Sequence, residues 1–174
     1  MDANALRDEA TRLYKAGQLE QAVTAFEQVR EAYAAQGSAA QTASVSNDLG
    51  VVYFLNGKPQ QARDALNDAL SAFEKLGDVT GQAKAIGNLA QLMNRSGDTA
   101  GAEMNYARAA ELFHQVGESG MEYDTFRALS QLQLQRGRWL EALAAYDRGL
   151  AAKGGSRLLR AFLQIPLKLV GLRR

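Results

Sequence analysis

Apolar positions recur along this chain with helical spacing, in segments of about 16 to 18 residues punctuated by glycine. Glycine stands at Gly17, Gly57, Gly97 and Gly137 and alanine at Ala22, Ala62, Ala102 and Ala142, so one pattern returns every 40 residues. Four residues after each alanine comes a large side chain, Phe26, Leu66, Tyr106 or Tyr146. Three further on comes a small or slender one, Val29, Ala69, Ala109 or Gly149. Gly37, Gly77 and Gly117 mark a second turn within the period. The pattern predicts helix, tight turn, helix, short turn in each of four units. Glycine accepts the positive φ that ends a helix, alanine lets two helix backbones approach, and the large residue on the same face fills the space beyond. Pro59 fits this reading, because it follows a glycine turn at the first position of a helix. A single helix pair cannot bury its apolar face, so the units must stack.

Several residue classes recur together in register, and in that combination the chain resembles the tetratricopeptide repeat family. The second unit carries Leu49, Gly50, Tyr53, Gly57, Ala62, Leu66 and Ala69 in the matching places. The third carries Ile86, Leu89, Ala90, Met93, Gly97, Asp98, Ala102, Tyr106 and Ala109. The fourth carries Phe126, Leu129, Ser130, Gly137, Ala142, Tyr146 and Gly149. The first unit is looser, with Glu9 at the leucine position, as suits a terminal repeat with a solvated side. The 40-residue period is longer than the family's usual unit of about 34 residues and is similar to the repeats of kinesin light chains. The phrases Asn47-Asp48-Leu49-Gly50 and Gly87-Asn88-Leu89-Ala90 resemble the Asn-Leu-Gly signature of that variety. The resemblance implies an all-α fold, a right-handed α-α superhelix of four helix-turn-helix repeats plus a C-terminal helix. The resemblance covers about residues 2–153, and the break at Gly154-Gly155 divides the chain into a four-repeat domain over residues 1–155 and a tail over 156–174. The resemblance also implies a protein-interaction adaptor that binds a peptide or partner protein along a concave groove.

Composition narrows the chemistry. Of the 174 residues, 47% are apolar, enough for a sizeable core, and 20 Lys plus Arg oppose 19 Asp plus Glu for a net charge of +1. That balance argues against nucleic acid as a partner. No cysteine is present and His114 is the single histidine, which removes thiolate chemistry and most ways to build a metal site. With no phosphate-cradling or nucleophile-elbow motif, the expectation is no enzyme, no cofactor and no metal. The acidic opening residues lack the pattern of an export signal and no window has the length of a spanning helix, so the expected location is cytoplasmic.

In the resembling family the first helix of each pair lines the groove. Carried over, this offers Arg7, Thr11 and Tyr14, then Asn47, Asp48, Val51 and Phe54, then Lys84, Asn88, Gln91, Asn94 and Arg95, then Arg127, Gln131, Leu134 and Gln135. The residues expected to bind a partner are Asn47, Phe54, Lys84, Asn88, Gln91, Arg95, Arg127 and Gln131. Lys84, Asn88, Gln91 and Arg95 step by four, three and four along one helix face. Amides there can serve an extended backbone, and the cations suit an acidic peptide. The competing reading is an ordinary solvated face. The family's clamp for a chaperone tail is incomplete here, with Thr11 and Asp48 at asparagine positions and Asn88 at a cation position. His114 reads as a helix-terminal histidine near the last carbonyls, and Trp139 as a packing residue at a helix start.

The last 19 residues change character. Arg157, Arg160, Lys168, Arg173 and Arg174 come with no acid, a charge of +5 that leaves −4 on residues 1–155. Leu158, Phe162, Ile165, Leu169 and Leu172 form an apolar stripe, and Pro166 removes a backbone donor, so the expected helix is kinked there or made of two short pieces. Three readings stay open: a cap on the fourth repeat, an interfacial helix holding the chain to the inner face of a membrane as a peripheral assembly factor, and a docking segment for another protein or a second copy. Arg157, Arg160, Phe162, Lys168, Arg173 and Arg174 are the residues the membrane or partner readings invoke. Exposed ends of a stacked array also leave a homodimer open.

Overall fold

The computed structural model describes residues 2–155, 160, 161 and 163–166. Up to residue 155 there are eight helices: α1 (Ala3–Lys15), α2 (Leu19–Ala35), α3 (Ala39–Leu55), α4 (Pro59–Leu76), α5 (Val79–Arg95), α6 (Thr99–Gln115), α7 (Ser119–Gln135) and α8 (Trp139–Ala152), and the described residues 160, 161 and 163–166 are helical as well. The helix pairs fall where the sequence period places them, and no strand occurs among the described residues. The fold class is the all-α, tetratricopeptide-like repeat read from the sequence. The chain forms two compact units, Met1–Leu92 and Met93–Arg174, with the boundary inside α5.

Seven glycines, from Gly17 to Gly137, step by 20 residues, and each has a positive φ between 68° and 88°. At Gly57 the mechanism is plain: its N–H donates to the Phe54 carbonyl at 3.2 Å and the next residue, Lys58, donates to Tyr53 at 2.9 Å. This closes α3 by satisfying carbonyls that have no partner within the helix. A side chain at such a φ would cost about 1–2 kcal/mol. The eighth glycine of positive φ, Gly154, arrives after 17 residues rather than 20, because α8 has 14 residues where α2, α6 and the first helices of the later pairs have 17.

In the first unit, α1 packs on α2, α2 on α3 and α3 on α4. The repeated alanines Ala22 and Ala62 are fully buried, with Phe26, Val29, Leu49, Val52, Tyr53 and Leu66 around them in one cluster. Gly50 belongs to that packing, since a Cβ there would lie 2.5 Å from Leu66 Cγ. A second cluster joins Ala43, Ala69, Phe73 and Ala85. Glu9, at the leucine position of the looser first repeat, is exposed and pairs with Arg12 on the same helix.

In the second unit, α6 packs on α7 and α7 on α8. Its buried apolar residues include Ala102, Tyr106, Ala109, Ala110, Phe113, Phe126, Leu129, Leu132, Ala142 and Ala145. Ser130, where the second repeat has Gly50, donates its hydroxyl to the Ala142 carbonyl at 2.8 Å and so keeps a buried polar group satisfied. Glu103 of α6 receives both Arg136, at 2.7 Å, and Arg138, at 2.7 and 3.0 Å, from the turn between α7 and α8.

Candidate partner-binding site

A polar ladder crosses the first helices of the first three repeats, within the first unit. Arg7 of α1 donates through Nη2 to Ser44 Oγ and Asp48 Oδ2 of α3, each at 2.9 Å. Asn88 of α5 donates through Nδ2 to Asn47 Oδ1 of α3, also at 2.9 Å. Burial pushes the Asp48 carboxyl above its ordinary range, while the Arg7 hydrogen bond and charge, the Lys84 charge and the Asn47 side chain pull the other way without overcoming it. Three helices are thus tied by side chains pointing to one face.

The sequence-derived residues separate into distinct roles. Asn47 is buried and Asn88 half-buried, and the two bond to each other. Phe54 is half-buried and packs against the core cluster. Lys84 and Gln91 are exposed on α5, one turn either side of Asn88. Arg95, at the end of the same helix, is exposed and belongs to the second unit. Thr11 turns its hydroxyl to the Arg7 carbonyl at 2.8 Å.

Arg127 and Gln131 lie in the second unit, where with Leu134, Trp139, Leu143 and Tyr146 they line a cleft of about 390 Å³ between α7 and α8. Trp139 is 56% exposed and Leu134 55%, so the packing role read for Trp139 from the sequence is corrected: the indole lines a cleft rather than a core. Arg127 meets Asp124, three residues back on its own helix, at 3.2 Å. The rings of Tyr123 and Tyr146 stand 6.5 Å apart and tilted.

His114 also departs from expectation. It does not serve the carbonyls of its own helix end but reaches Glu122 in the first turn of α7, with 3.1 Å between Nδ1 and Oε2. Glu122 is buried and His114 exposed, and Arg148 stacks 4.5 Å from the Phe126 ring centre beside them. Eight residues of sequence separation across a glycine turn hid this pair.

Of the tail candidates, Arg160 is described. Its Nε donates to Asp147 Oδ1 at 3.1 Å and Gln164 Nε2 donates to Asp147 Oδ2 at 3.0 Å, which satisfies both oxygens of a carboxylate whose residue is 9% exposed. Arg157, Phe162, Lys168, Arg173 and Arg174 lie outside the described residues. The sequence reading missed Asp147. Its signal was an acid at the position where the first repeat has Glu27, which accepts from Tyr53.

Among the described residues no group of three or more His, Asp or Glu is placed to hold a metal ion. Nor is any helix there long and apolar enough to cross a membrane.

Solved structures with this fold include BtubC (BKLC) from P. vanneervenii, at 20% identity and a TM-score of 0.76, covering 87% of this chain and 63% of that one. A Podosopora anserina putative kinesin light chain with nearly identical TPR-like repeats is similar over 97% of this chain and 94% of its own, at 16% identity and a TM-score of 0.66. Aspartyl phosphate phosphatase F from Bacillus subtilis superposes with a TM-score of 0.82 at 15% identity over 93% of this chain and 44% of that one. The chain therefore spans less than two thirds of BtubC, and at these identities the likeness concerns the fold. No curated protein matches the chain. The family described as SNAP, soluble NSF attachment protein, matches residues 1–164, and the chain belongs to that family of tetratricopeptide-like repeat proteins.

Proposed function

We propose that this chain is a protein-interaction adaptor whose binding face is formed by the first helices of the first three repeats, and that its ligand there is a peptide segment carrying acidic side chains. The observation that carries the reading is the contrast on α5 between Asn88, already engaged by Asn47, and the exposed Lys84 and Gln91 one turn to either side. The ladder Arg7, Asp48, Asn47 and Asn88 holds three helices in register, so the face is preformed and the bound segment bears the ordering cost. Lys84 supplies a cation for a carboxylate, and the Gln91 amide can donate to and accept from an extended backbone. Family membership and fold agree with protein binding in general.

The test is an array of short peptides rich in Asp and Glu, probed with the purified chain and with Lys84→Glu. A charge-assisted hydrogen bond is worth about 1.5–3 kcal/mol, so roughly tenfold or greater loss of affinity is expected for the variant. Equal binding by both proteins would remove Lys84 from the site.

For the tail, the engagement of Asp147 by Arg160 and Gln164 supports the cap among the three readings, because it uses one of the tail's cations to satisfy a buried acid. The absence of any acid in residues 156–174 is what supports the membrane-anchored alternative.

A further inference from the structure

A second cleft of the second unit, of about 350 Å³, is lined by Glu111 and His114 of α6, Glu122 and Phe126 of α7, and Arg148 and Ala151 of α8. The first unit has a cleft of about 390 Å³ in the corresponding place. There Ala34, Thr42, Ser46 and Asp68 stand 80 residues before His114, Glu122, Phe126 and Arg148. The groove is therefore a product of the repeat, and its lining is what sets one copy apart from the other. In the first unit Thr42 satisfies its hydroxyl locally, donating to the Ser38 carbonyl at 3.0 Å. In the second unit the same position is Glu122, a carboxylate on a residue 8% exposed.

Packing does not call for an acid there, since burying a carboxylate is costly unless donors meet its oxygens. His114 meets Oε2 at 3.1 Å, through a side chain that is itself 75% exposed. Arg148 lies over the Phe126 ring, 4.5 Å from its centre, and Lys153, just beyond the cleft, lies 4.8 Å from the centre of the Tyr123 ring. Glu111 adds a second carboxylate from α6, so the lining carries two acids against one arginine and an imidazole.

We propose that this cleft binds a primary alkylammonium group, the lysine side chain of a partner segment or a free amine of the same chemistry, with its nitrogen on Glu122 and its methylenes between Phe126 and Ala151. An ammonium has three donors to share between Glu122 and Glu111, and its slender apolar stem suits a cleft whose walls include alanine. Arg148 bears on the choice of cation. The ring of Phe126, 3% exposed, already holds a guanidinium, so no open aromatic face is left for the stacking that a second arginine would favour. The site is separate from the face proposed above and does not rest on it.

His114 is the only histidine of the chain, so its ring resonances in a proton NMR spectrum report the cleft directly. The probes are pentylamine and a capped glycine peptide with one central lysine, each titrated into the full chain at constant ionic strength. The expected result is a saturable shift of the His114 resonances, and the tighter of the two probes identifies the source as a free amine or a partner's lysine. Glu122→Gln should weaken binding about tenfold, because it removes the charge and keeps the shape. Ala151→Leu, at an exposed position, should weaken it by filling the cleft, which keeps the proposal testable if the Glu122 variant does not fold. The variant Lys84→Glu should leave the titration unchanged, so the two binding proposals fail separately. No saturable shift from either probe, binding indifferent to both cleft variants, or an equal shift from tetramethylammonium, which has no N–H donor, overturns the proposal. So does a peptide with arginine in place of lysine that binds as tightly. His114 resonances moved by Lys168→Ala with no amine added would assign the cleft to the chain's own tail and overturn the proposal equally.

Discussion

Asn88 donates its side-chain amide to the side-chain carbonyl of Asn47, 41 residues earlier and 2.9 Å away, and Arg7 reaches Asp48 over the same interval. The repeat is 40 residues, so each rung joins a residue to the neighbour just past its own equivalent in the next unit. The offset lets one helix, α3, receive from both sides at adjacent positions.

Asn88→Ala should therefore destabilise the fold although Asn88 itself is half-buried, because it strands the buried Asn47 acceptor. A cost of about 1–2 kcal/mol is expected, which for a chain of this size lowers the Tm by about 2–8 °C. Thermal unfolding followed by circular dichroism measures it, and an unchanged Tm would mean that water replaces the amide without penalty.

Tyr53 gives a pH prediction with a definite sign. Burial, and then its hydrogen bond to Glu27, push the phenol from 10.0 up to about 12. A raised value in the folded state means that the stability Tyr53 contributes is fully present below pH 10 and is lost as the pH rises through about 12. Tyr53→Phe, which cannot ionise, should show a flatter alkaline limb in urea unfolding across that window. Parallel curves for the two proteins would place the alkaline loss elsewhere.

Gly50 tests backbone packing. An added Cβ meets Leu66 Cγ at 2.5 Å and the Ala62 carbonyl oxygen at 3.2 Å, so Gly50→Ala should cost about 1–3 kcal/mol despite the better helix propensity of alanine. Combining it with Leu66→Ala should give less than the sum of the two single losses, since the removed side chain is the one struck. Simple additivity would show that the helices part without using the Leu66 space.

Asp147 discriminates between the tail readings. Arg160→Ala with Gln164→Ala leaves a nearly buried carboxylate without those donors, at about 2–3 kcal/mol, and adding Asp147→Asn should recover part of the loss. The cap reading expects this lowered Tm and no sedimentation of the full chain with anionic vesicles. A stable variant together with vesicle binding that neutral lipid does not support would favour the membrane anchor.

Most of the fold was legible because its determinants are local: a glycine every 20 residues ends each helix, and alanine and the large residue four later share one helix face. The site was legible only as a set of positions. Sequence spacing put Lys84, Asn88 and Gln91 on one face of α5, but which of them is already engaged depends on a helix 40 residues away, and no single-helix periodicity carries that information. The same limit explains His114, whose partner lies beyond a turn, and Asp147, whose partners lie in the tail. Trp139 was misread for a different reason. Its residue type says packing, while the indole is 56% exposed and lines the cleft between α7 and α8.

The 17-residue step to Gly154 has a consequence for how such an array can grow. Three residues amount to about 300° of helical rotation and 4.5 Å of rise, so the chain leaves α8 aimed in a direction that no earlier second helix uses. A fifth repeat spliced after Gly154 would arrive out of phase with the four before it. Extending the array by design would first require the missing three residues to be put back, which makes the shortened helix a terminator written into the backbone itself.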